Sequence, residues 1–531
     1  MELNSTNRQS SYSAYSLEGE TDMKERILDE SLIGKILTAE EAAETIIDGM
    51  TVATSGFTPS GYPKAVPLAL AKRVRNTQEK MEITLIAGAS VGDELDGELS
   101  REGIIKRRIP YQTNESIRSK INRGEIQFID QHLSHVAQNI NYNFIDKIDV
   151  AIIEAIKVTE EGNIIPSTSI GISPTIVDKA KNIIIEVNMS QPLELEGIHD
   201  IYTIKNPPFR KPIPIINCFD RIGSNYIPLN KEKISGIVIT DIKDNVRPLA
   251  PVNDNNKIMA GILMEFLDFE IRKGRIPKEL LPLQSGVGSV ANAVLKGFLN
   301  SKYDNLQFYT EVIQDSILDL VEAGRVCCAS GTAITPSPEK LKEILLSMKR
   351  YRDKIILRPQ EISNHPEIIR RLGVIAMNTA IEVDIYGNVN STNVLGGNMM
   401  NGIGGSGDFA RNAYLSIFFT ESIRKDAHIS TIVPLVSHHD HTEHDVDVVI
   451  TERGIADLRG LSPKERAKRI IENCAHPDYK DQLREYYNRA SRRRGHIPIL
   501  LNEAFSWHCR FESVGTMKND TGGKEYELSS N

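Results

Sequence analysis

The chain has 531 residues, 40% hydrophobic and 25% charged, with a formal net charge of -8. That length supports about two to four domains with sizeable cores, and the fractions are ordinary for a globular protein. A negative balance, 6% aromatic residues and the lack of any basic stripe argue against nucleic acid as a partner; a small anionic ligand stays open, because a local site need not follow the global sign.

In chain order, residues 1–30 are polar and Ser-rich and read as a flexible tail. They lack a signal-peptide core, and Glu18, Glu20 and Asp22 are unlike a mitochondrial transit peptide. "TAEEAAETIIDGM" (38–50) combines a Thr cap, early acids and a Gly stop, which predicts a helix. "TVATSGF" predicts a strand running into the Gly/Pro loop "SGFTPSGYPK"; "PLALAKRV" returns to helix and "EITLIAG" to strand. "DVAIIEAIKVT" (149–159), "NIIIEVN" (182–188) and "EKISGIVIT" (232–240) are further β-rich runs. Strands alternating with helices predict an α/β fold with parallel-rich sheets. The polar stretch 241–257 is the best linker, so the chain is divided into α/β domains over 31–240 and 241–515, with a second flexible tail over 516–531.

Five scattered cysteines (Cys218, Cys327, Cys328, Cys474 and Cys509) form no CxxC pair. This points to a reducing, cytoplasmic compartment and away from a disulfide framework or structural zinc. No apolar run approaches the ~20 residues of a membrane helix, so no membrane partner is expected.

Four stretches are candidates for chemistry. "LPLQSGVGSVANAVLKGF" (281–298) places a Gly-containing loop, Gln284 to Gly288, before a helix, where backbone N–H groups can hold an oxyanion or phosphate; a plain tight turn reads the same way. "NLQFYTEVIQDSILDLVEAG" (305–324) predicts a strand at Leu306 to Tyr309 and a helix from about Asp315, with Glu311 between them. Open α/β sheets place ligands at strand ends, yet an acid near a helix start also complements the helix dipole, so Glu311 is either a reagent or a helix-start acid. "MMNGIGGSGDFARNAYLSIF" (399–418) has glycines at 402, 404, 405 and 407, which suits close backbone approach to a ligand. Just upstream, "NTAIEVDIYGNVNST" reads as a strand pair turning at Gly387. "SHHDHTEHDVDVVITERG" (437–454) gathers His438, His439, His441 and His444 with Asp440 and Glu443; their spacing matches no standard metal signature, and carboxylates pairing with histidines are the alternative. The strand that follows ends at Glu452, a second acid at a strand end, and Ser462 with Glu465 forms a capping box.

Together these stretches, with "SGFTPSGYPKAVP", "RRIPYQTN", "DQHLSHVAQNINY", "LRPQEISNHPEIIRRLGVIAMNTAIEVDIYGNVNST" and "ENCAHPDY", closely resemble class I coenzyme A transferases of the acetyl-CoA hydrolase/transferase family. The nearest types are bacterial succinyl-CoA:CoA, propionyl-CoA:succinate and succinyl-CoA:acetate transferases. The resemblance runs from about residue 35 to about 515 and departs at His439, where an apolar residue is expected. It implies two related open α/β domains with the active site at their interface, the C-terminal one carrying the nucleophile. It implies that Glu311 is the nucleophile, that Gln284, Ser285, Gly286, Val287 and Gly288 form the CoA-binding loop, and that the Val287 N–H serves the oxyanion. Asn401 and Gly405 would contact the thioester or acyl group, Asn364 and Lys425 would contact CoA, Glu452 would be a second active-site glutamate, and Ser90 an active-site serine.

The implied reaction moves CoA between succinyl-CoA and acetate or propionate through an acyl-glutamyl anhydride and a covalent glutamyl-CoA thioester. The alternative is acyl-CoA hydrolysis on the same scaffold. The expected partners are acyl-CoA and small carboxylic acids, with CoA as co-substrate, no further cofactor and no metal. A homodimer is the default expectation for the assembly.

Overall fold

The apolar runs read from the sequence become parallel strands in a computed structural model that describes residues 23–246, 251–346 and 348–519. The first sheet comprises β1 (Thr51–Thr54), β2 (Ile83–Ile86), β3 (Ile105–Ile109), β4 (Gln127–Phe128), β5 (Val150–Val158), β6 (Ile164–Pro166), β7 (Asn182–Asn188) and β8 (Ile234–Thr240). Its order is β4-β3-β2-β1-β5-β7-β8, with β6 antiparallel to β5 and all other neighbours parallel. Sheets covered on both faces need strands that are apolar throughout, and β5 and β7 are buried almost end to end.

Two acids interrupt those apolar runs, and each is paired. Glu154 in β5 meets the buried Lys64 ammonium at 2.5 Å and the Ser167 hydroxyl at 2.6 Å. Glu186 in β7 accepts the backbone N–H groups of Lys64, Ala65 and Val66 at 2.7, 3.1 and 2.7 Å. The helix Ala65–Thr77 has no capping side chain of its own, so a neighbouring strand satisfies its first N–H groups.

The chain divides into two compact units that do not follow a single cut. Residues Asn305–Leu372 join the N-terminal part in the first unit. They supply three parallel strands, Leu306–Tyr309, Val326–Gly331 and Ile355–Leu357, and a short parallel pair, Val312–Gln314 with Ala333–Thr335. Isolated bridges from Ser169 to Ala333 and from His199 to Leu357 bind this segment to the N-terminal part, as does the buried ion pair of Arg358 with Asp200. That long-range pairing is why the grouping differs from the division near residue 240, and it places Glu311 in the first unit.

The second unit contains the strands Leu283–Ser285, Ile375–Thr379, Leu415–Phe419 and Val448–Thr451, parallel in that order, with Gly454–Asp457 antiparallel at the edge. Its core gathers Val383, Tyr386, Phe418, Val449, Ile470, Tyr479, Leu483 and Trp507. The predicted turn at Gly387 is present: Glu382–Asp384 pairs antiparallel with Val389–Asn390, and Gly387 has φ +97°.

Four boundaries are corrected. The helix expected over 38–50 spans only Ala39–Glu44; its Thr38–Glu41 capping box forms, and the β-branched Thr45, Ile46 and Ile47 follow it. Residues 23–30, expected in the tail, are anchored: Arg26 donates to the carbonyls of Ile156 and Gln191 at 3.1 and 2.9 Å, and Ile27 bridges to Val158. The linker ends early, because Asn253 and Asn256 form a capping box that opens the helix Asp254–Arg272. Met517, expected in the C-terminal tail, is buried and donates its N–H to the His428 carbonyl at 2.8 Å. The remainder of the predicted tails, residues 1–22 and 520–531, and positions 247–250 of the linker lie outside the described residues.

Candidate active site

Glu311 stands where one parallel pairing ends and another begins. Thr310 still donates to the Ser330 carbonyl at 2.9 Å, whereas Val312 starts the separate pairing with Ala333. The Glu311 carbonyl fills the break, accepting N–H groups from Thr332 at 2.8 Å and Ala333 at 3.2 Å. A Cβ on Gly331 would lie 3.1 Å from that carbonyl oxygen, so a small residue suits the position. The helix Asp315–Glu322 follows, as the sequence predicts.

The side chain has one hydrogen-bond partner among the described residues: the Asn364 amide donates to Glu311 Oε1 at 2.8 Å. Asn364 is itself fully buried and follows the short helical turn Gln360–Ser363. Burial pushes the Glu311 carboxyl up to about 7, and the Asn364 hydrogen bond pulls in the opposite direction. The residue as a whole retains some accessible surface. Loss of hydration around the carboxyl itself governs its acidity.

Ser90 lies in the first unit, buried in the loop after β2. That loop and the Glu311 segment share a small apolar cluster: Ala89, Phe57, Leu133, Val312 and Ala333. Ala89 is further held through its carbonyl, which accepts Arg108 Nη2 at 2.9 Å.

The remaining sequence candidates belong to the second unit. The strand Leu283–Ser285 runs into Gly286, whose N–H donates to the Met377 carbonyl at 3.1 Å. Gln284 is buried and locked by its amide, accepting the Met377 N–H at 3.0 Å and donating to Asn378 at 3.3 Å. Val287 then projects with half its surface exposed, an unusual position for an apolar side chain, and its N–H has no partner among the described residues. Gly288, at φ +111°, turns the chain into the helix Ser289–Leu299, which has no side-chain cap. This combination leaves backbone donors for an external acceptor.

In the second glycine loop, Asn401 accepts the Gly402 N–H at 2.9 Å, and Gly402 and Gly404 adopt φ of +131° and +57°. Gly405 is the N-cap of the helix Ser406–Asn412. Glu452 follows the strand Val448–Thr451 and is fully engaged: it accepts the Ser422 N–H at 2.8 Å, the Ser422 hydroxyl, and Arg453 Nε at 3.1 Å. Lys425 is exposed at a hairpin tip, first of three successive left-handed residues (Lys425, Asp426 and Ala427), with Nζ 5.1 Å from the Phe511 ring centre.

In the histidine cluster one of the histidine–carboxylate pairs that the sequence suggests forms, His438 with Asp440. The His441 ring lies tilted against Phe418, with centroids 4.7 Å apart, and reaches the hydroxyls of Ser391 and Ser406 at 3.3 and 3.2 Å. Asp440 lies 3.4 Å from His438 and accepts the Ser391 N–H at 2.7 Å and the Thr392 hydroxyl. Among the described residues no three His, Cys, Asp or Glu groups are arranged to hold a metal ion. No helix among them is long and apolar enough to cross a membrane.

Within the first unit the structure thus joins Glu311 to Asn364; within the second it orders the two glycine loops and ties Glu452 to Ser422. Sequence reasoning passed over Thr332, which donates to the Glu311 carbonyl, and Gly171 and Gln360, which link Thr332 to Asn364. Thr332 and Gly171 are 161 positions apart, and no local pattern links them.

Comparison with known proteins gives concordant results. Residues 21–239 match the acetyl-CoA hydrolase/transferase N-terminal domain and residues 341–487 the corresponding C-terminal domain. The chain is 58% identical to a succinyl-CoA:acetate CoA-transferase of Clostridium kluyveri, over 93% of this chain and 92% of that one. It is 46% identical to a propanoyl-CoA:succinate CoA transferase of Escherichia coli (91% and 98% covered) and 44% identical to an acetyl-CoA hydrolase of Candida albicans (95% and 99%). Among solved structures, RipA from Yersinia pestis shares the fold with a TM-score of 0.66 at 22% identity, covering 86% of this chain and 97% of that one.

Proposed function

The chain belongs to the acetyl-CoA hydrolase/transferase family, and from that premise we propose that it moves coenzyme A between succinyl-CoA and acetate or propionate. The observation that carries the reading is the Glu311 carboxyl, held by the uncharged Asn364 amide and raised by burial to about 7. Near neutral pH about half of such a group is ionised, and its anion is more basic than an ordinary glutamate.

Glu311 Oε attacks the thioester carbonyl of the acyl-CoA. The carbon–sulfur bond breaks, CoA leaves as thiolate, and an acyl-glutamyl anhydride remains. The thiolate then attacks the glutamyl carbonyl, releasing the donor acid as carboxylate and leaving a glutamyl-CoA thioester. An acceptor carboxylate reverses the two steps and departs as the new acyl-CoA. Each exchange conserves one activated acyl bond, so the chemistry requires neither ATP nor a metal ion, and CoA is a co-substrate. Negative charge gathers on a carbonyl oxygen at each tetrahedral stage. The Val287 N–H, without a partner among the described residues, supports assigning it as a donor, a contribution worth ~3–4 kcal/mol in comparable sites. The glycine loop with Asn401 and Gly405 supports a role for that loop in holding the acyl group.

Hydrolysis is the second reading, favoured by the acetyl-CoA hydrolases among the relatives. Both readings use Glu311 and differ in whether a carboxylate or water resolves the acyl-enzyme. Labelled acetate exchanged into acetyl-CoA with little free CoA would support transfer; CoA release independent of any acceptor would replace it with hydrolysis. A homodimer is part of the proposal, and a monomer mass by light scattering would remove it.

A further inference from the structure

We propose that Thr332 is a positioning residue for Glu311, its hydroxyl closing a ring of hydrogen bonds that seats the Asn364 amide on the carboxylate. The inference rests on the nucleophile reading above.

The ring can be followed bond by bond within the first unit. Asn364 Nδ2 donates to Glu311 Oε1 at 2.8 Å. The Asn364 N–H donates to the Gln360 carbonyl at 2.9 Å, and the Gln360 N–H to the Gly171 carbonyl at 2.9 Å. The Gly171 N–H donates to Thr332 Oγ1 at 3.1 Å. The Thr332 N–H closes the circuit on the Glu311 carbonyl at 2.8 Å. Thr332 also accepts the Ile170 N–H on its own carbonyl at 2.9 Å, so all three of its polar groups are engaged.

Two arms therefore reach Glu311 from one residue: a direct arm that fixes its backbone, and an indirect one, through Gly171 and Gln360, that fixes its carboxylate partner. Thr332, Gln360 and Asn364 are fully buried, so water does not substitute for a lost bond without rearrangement. Gly171 has little latitude to absorb a change. It sits at φ +51°, and a Cβ there would lie 3.1 Å from the Gly56 carbonyl oxygen. On the far side of Gln360, its side-chain amide donates to the Leu133 carbonyl at 2.8 Å, and its Oε1 would lie 3.1 Å from a Cβ on Gly88. Gly88 belongs to the loop that carries Ser90, so the turn bearing Asn364 is wedged against that loop.

Removing the Thr332 hydroxyl while keeping its shape leaves the Gly171 N–H without its acceptor. The Gly171–Gln360 link then relaxes, and Asn364 moves relative to Glu311. Placement errors of this kind act on the chemical step rather than on CoA binding.

The test compares Thr332→Val, Thr332→Ser and Glu311→Gln in the full chain, with acetyl-CoA as donor and succinate as acceptor, recording kcat, KM and Tm. Thr332→Val is expected to lower kcat roughly 10- to 100-fold with KM for acetyl-CoA held within about twofold, and Thr332→Ser to restore most of kcat. A Thr332→Val enzyme with unchanged kcat, a loss expressed in KM alone, or a Thr332→Ser enzyme as impaired as Thr332→Val would overturn the inference. If Thr332→Val does not fold, Thr332→Ala removes the same hydroxyl and takes its place in the comparison. Glu311→Gln separates the two readings. Persistent transfer by that variant removes the nucleophile and the ring's purpose together, whereas a dead Glu311→Gln beside a fully active Thr332→Val removes the ring alone.

Discussion

Glu311 and Glu452 are both glutamates at the ends of parallel strands, one in each compact unit, and their surroundings are opposites. Among the described residues the Glu311 carboxyl accepts a single hydrogen bond, from the neutral Asn364 amide. The Glu452 carboxylate accepts a backbone N–H and a hydroxyl from Ser422 and a guanidinium N–H from Arg453. A carboxylate with several donors, one of them charged, is held in place. A buried carboxylate with one neutral donor is poorly solvated, more basic and freer to form a bond. Position at a strand end is common to both; the count and charge of the donors separate them.

The most severe way to break this contrast is to remove both acids in turn. Glu311→Gln keeps an acceptor for Asn364 and is expected to reduce transfer by at least about three orders of magnitude. Glu452→Gln is expected to cost roughly 10- to 100-fold, through misplacement of its neighbours. Equal losses in steady-state assays would erase the distinction.

Asn364→Ala sharpens the comparison from the donor side. Losing a hydrogen bond to a charged group costs about 1.5–3 kcal/mol, so activity is expected to fall roughly 10- to 100-fold. The acid limb of the pH–rate profile should lie near 7 in the wild type, since Glu311 attacks only as the anion. Because Asn364 favours that anion, its removal should carry the limb to higher pH. A limb that stays in place would show that Asn364 does not bond the reacting form.

The smallest expected effect is on stability. The folded-state carboxyl of Glu311 is raised from 4.5 to about 7, so the folded protein holds this proton more tightly than the unfolded chain does. The benefit is complete below about pH 4.5 and is lost as pH rises through 7. Glu311→Gln, which cannot ionise, should exceed the wild type at pH 8 by at most about 3 kcal/mol and match it below pH 4.5. Denaturant titrations at the two pH values check the sign.

Much of this was legible locally. The strand Leu306–Tyr309 and the helix from Asp315 follow from a short apolar run and an acid at a helix start, and both occur at those positions. The capping box at Ser462 likewise needs only four residues. What stayed hidden depends on distance in the chain. Whether Glu311 is a reagent or a helix-start acid cannot be read from its neighbours, because its environment is made by Asn364, Thr332 and Ala333. Arg26 looks like part of a polar tail until its guanidinium meets carbonyls more than a hundred positions away. The grouping of Asn305–Leu372 with the N-terminal part has the same origin, in bridges such as Ser169 to Ala333 that no periodicity announces.

The most direct test of Glu311 as the carrier of CoA is to capture the carrier itself. The wild-type protein is incubated with acetyl-CoA without an acceptor, reduced with borohydride, digested and examined by mass spectrometry. The expected result is a CoA-dependent reduction of the Glu311 side chain to the alcohol, in the peptide containing "YTEVIQD" and absent from Glu311→Gln. An unmodified Glu311 peptide beside a modified residue elsewhere would contradict it and move the nucleophile to that residue.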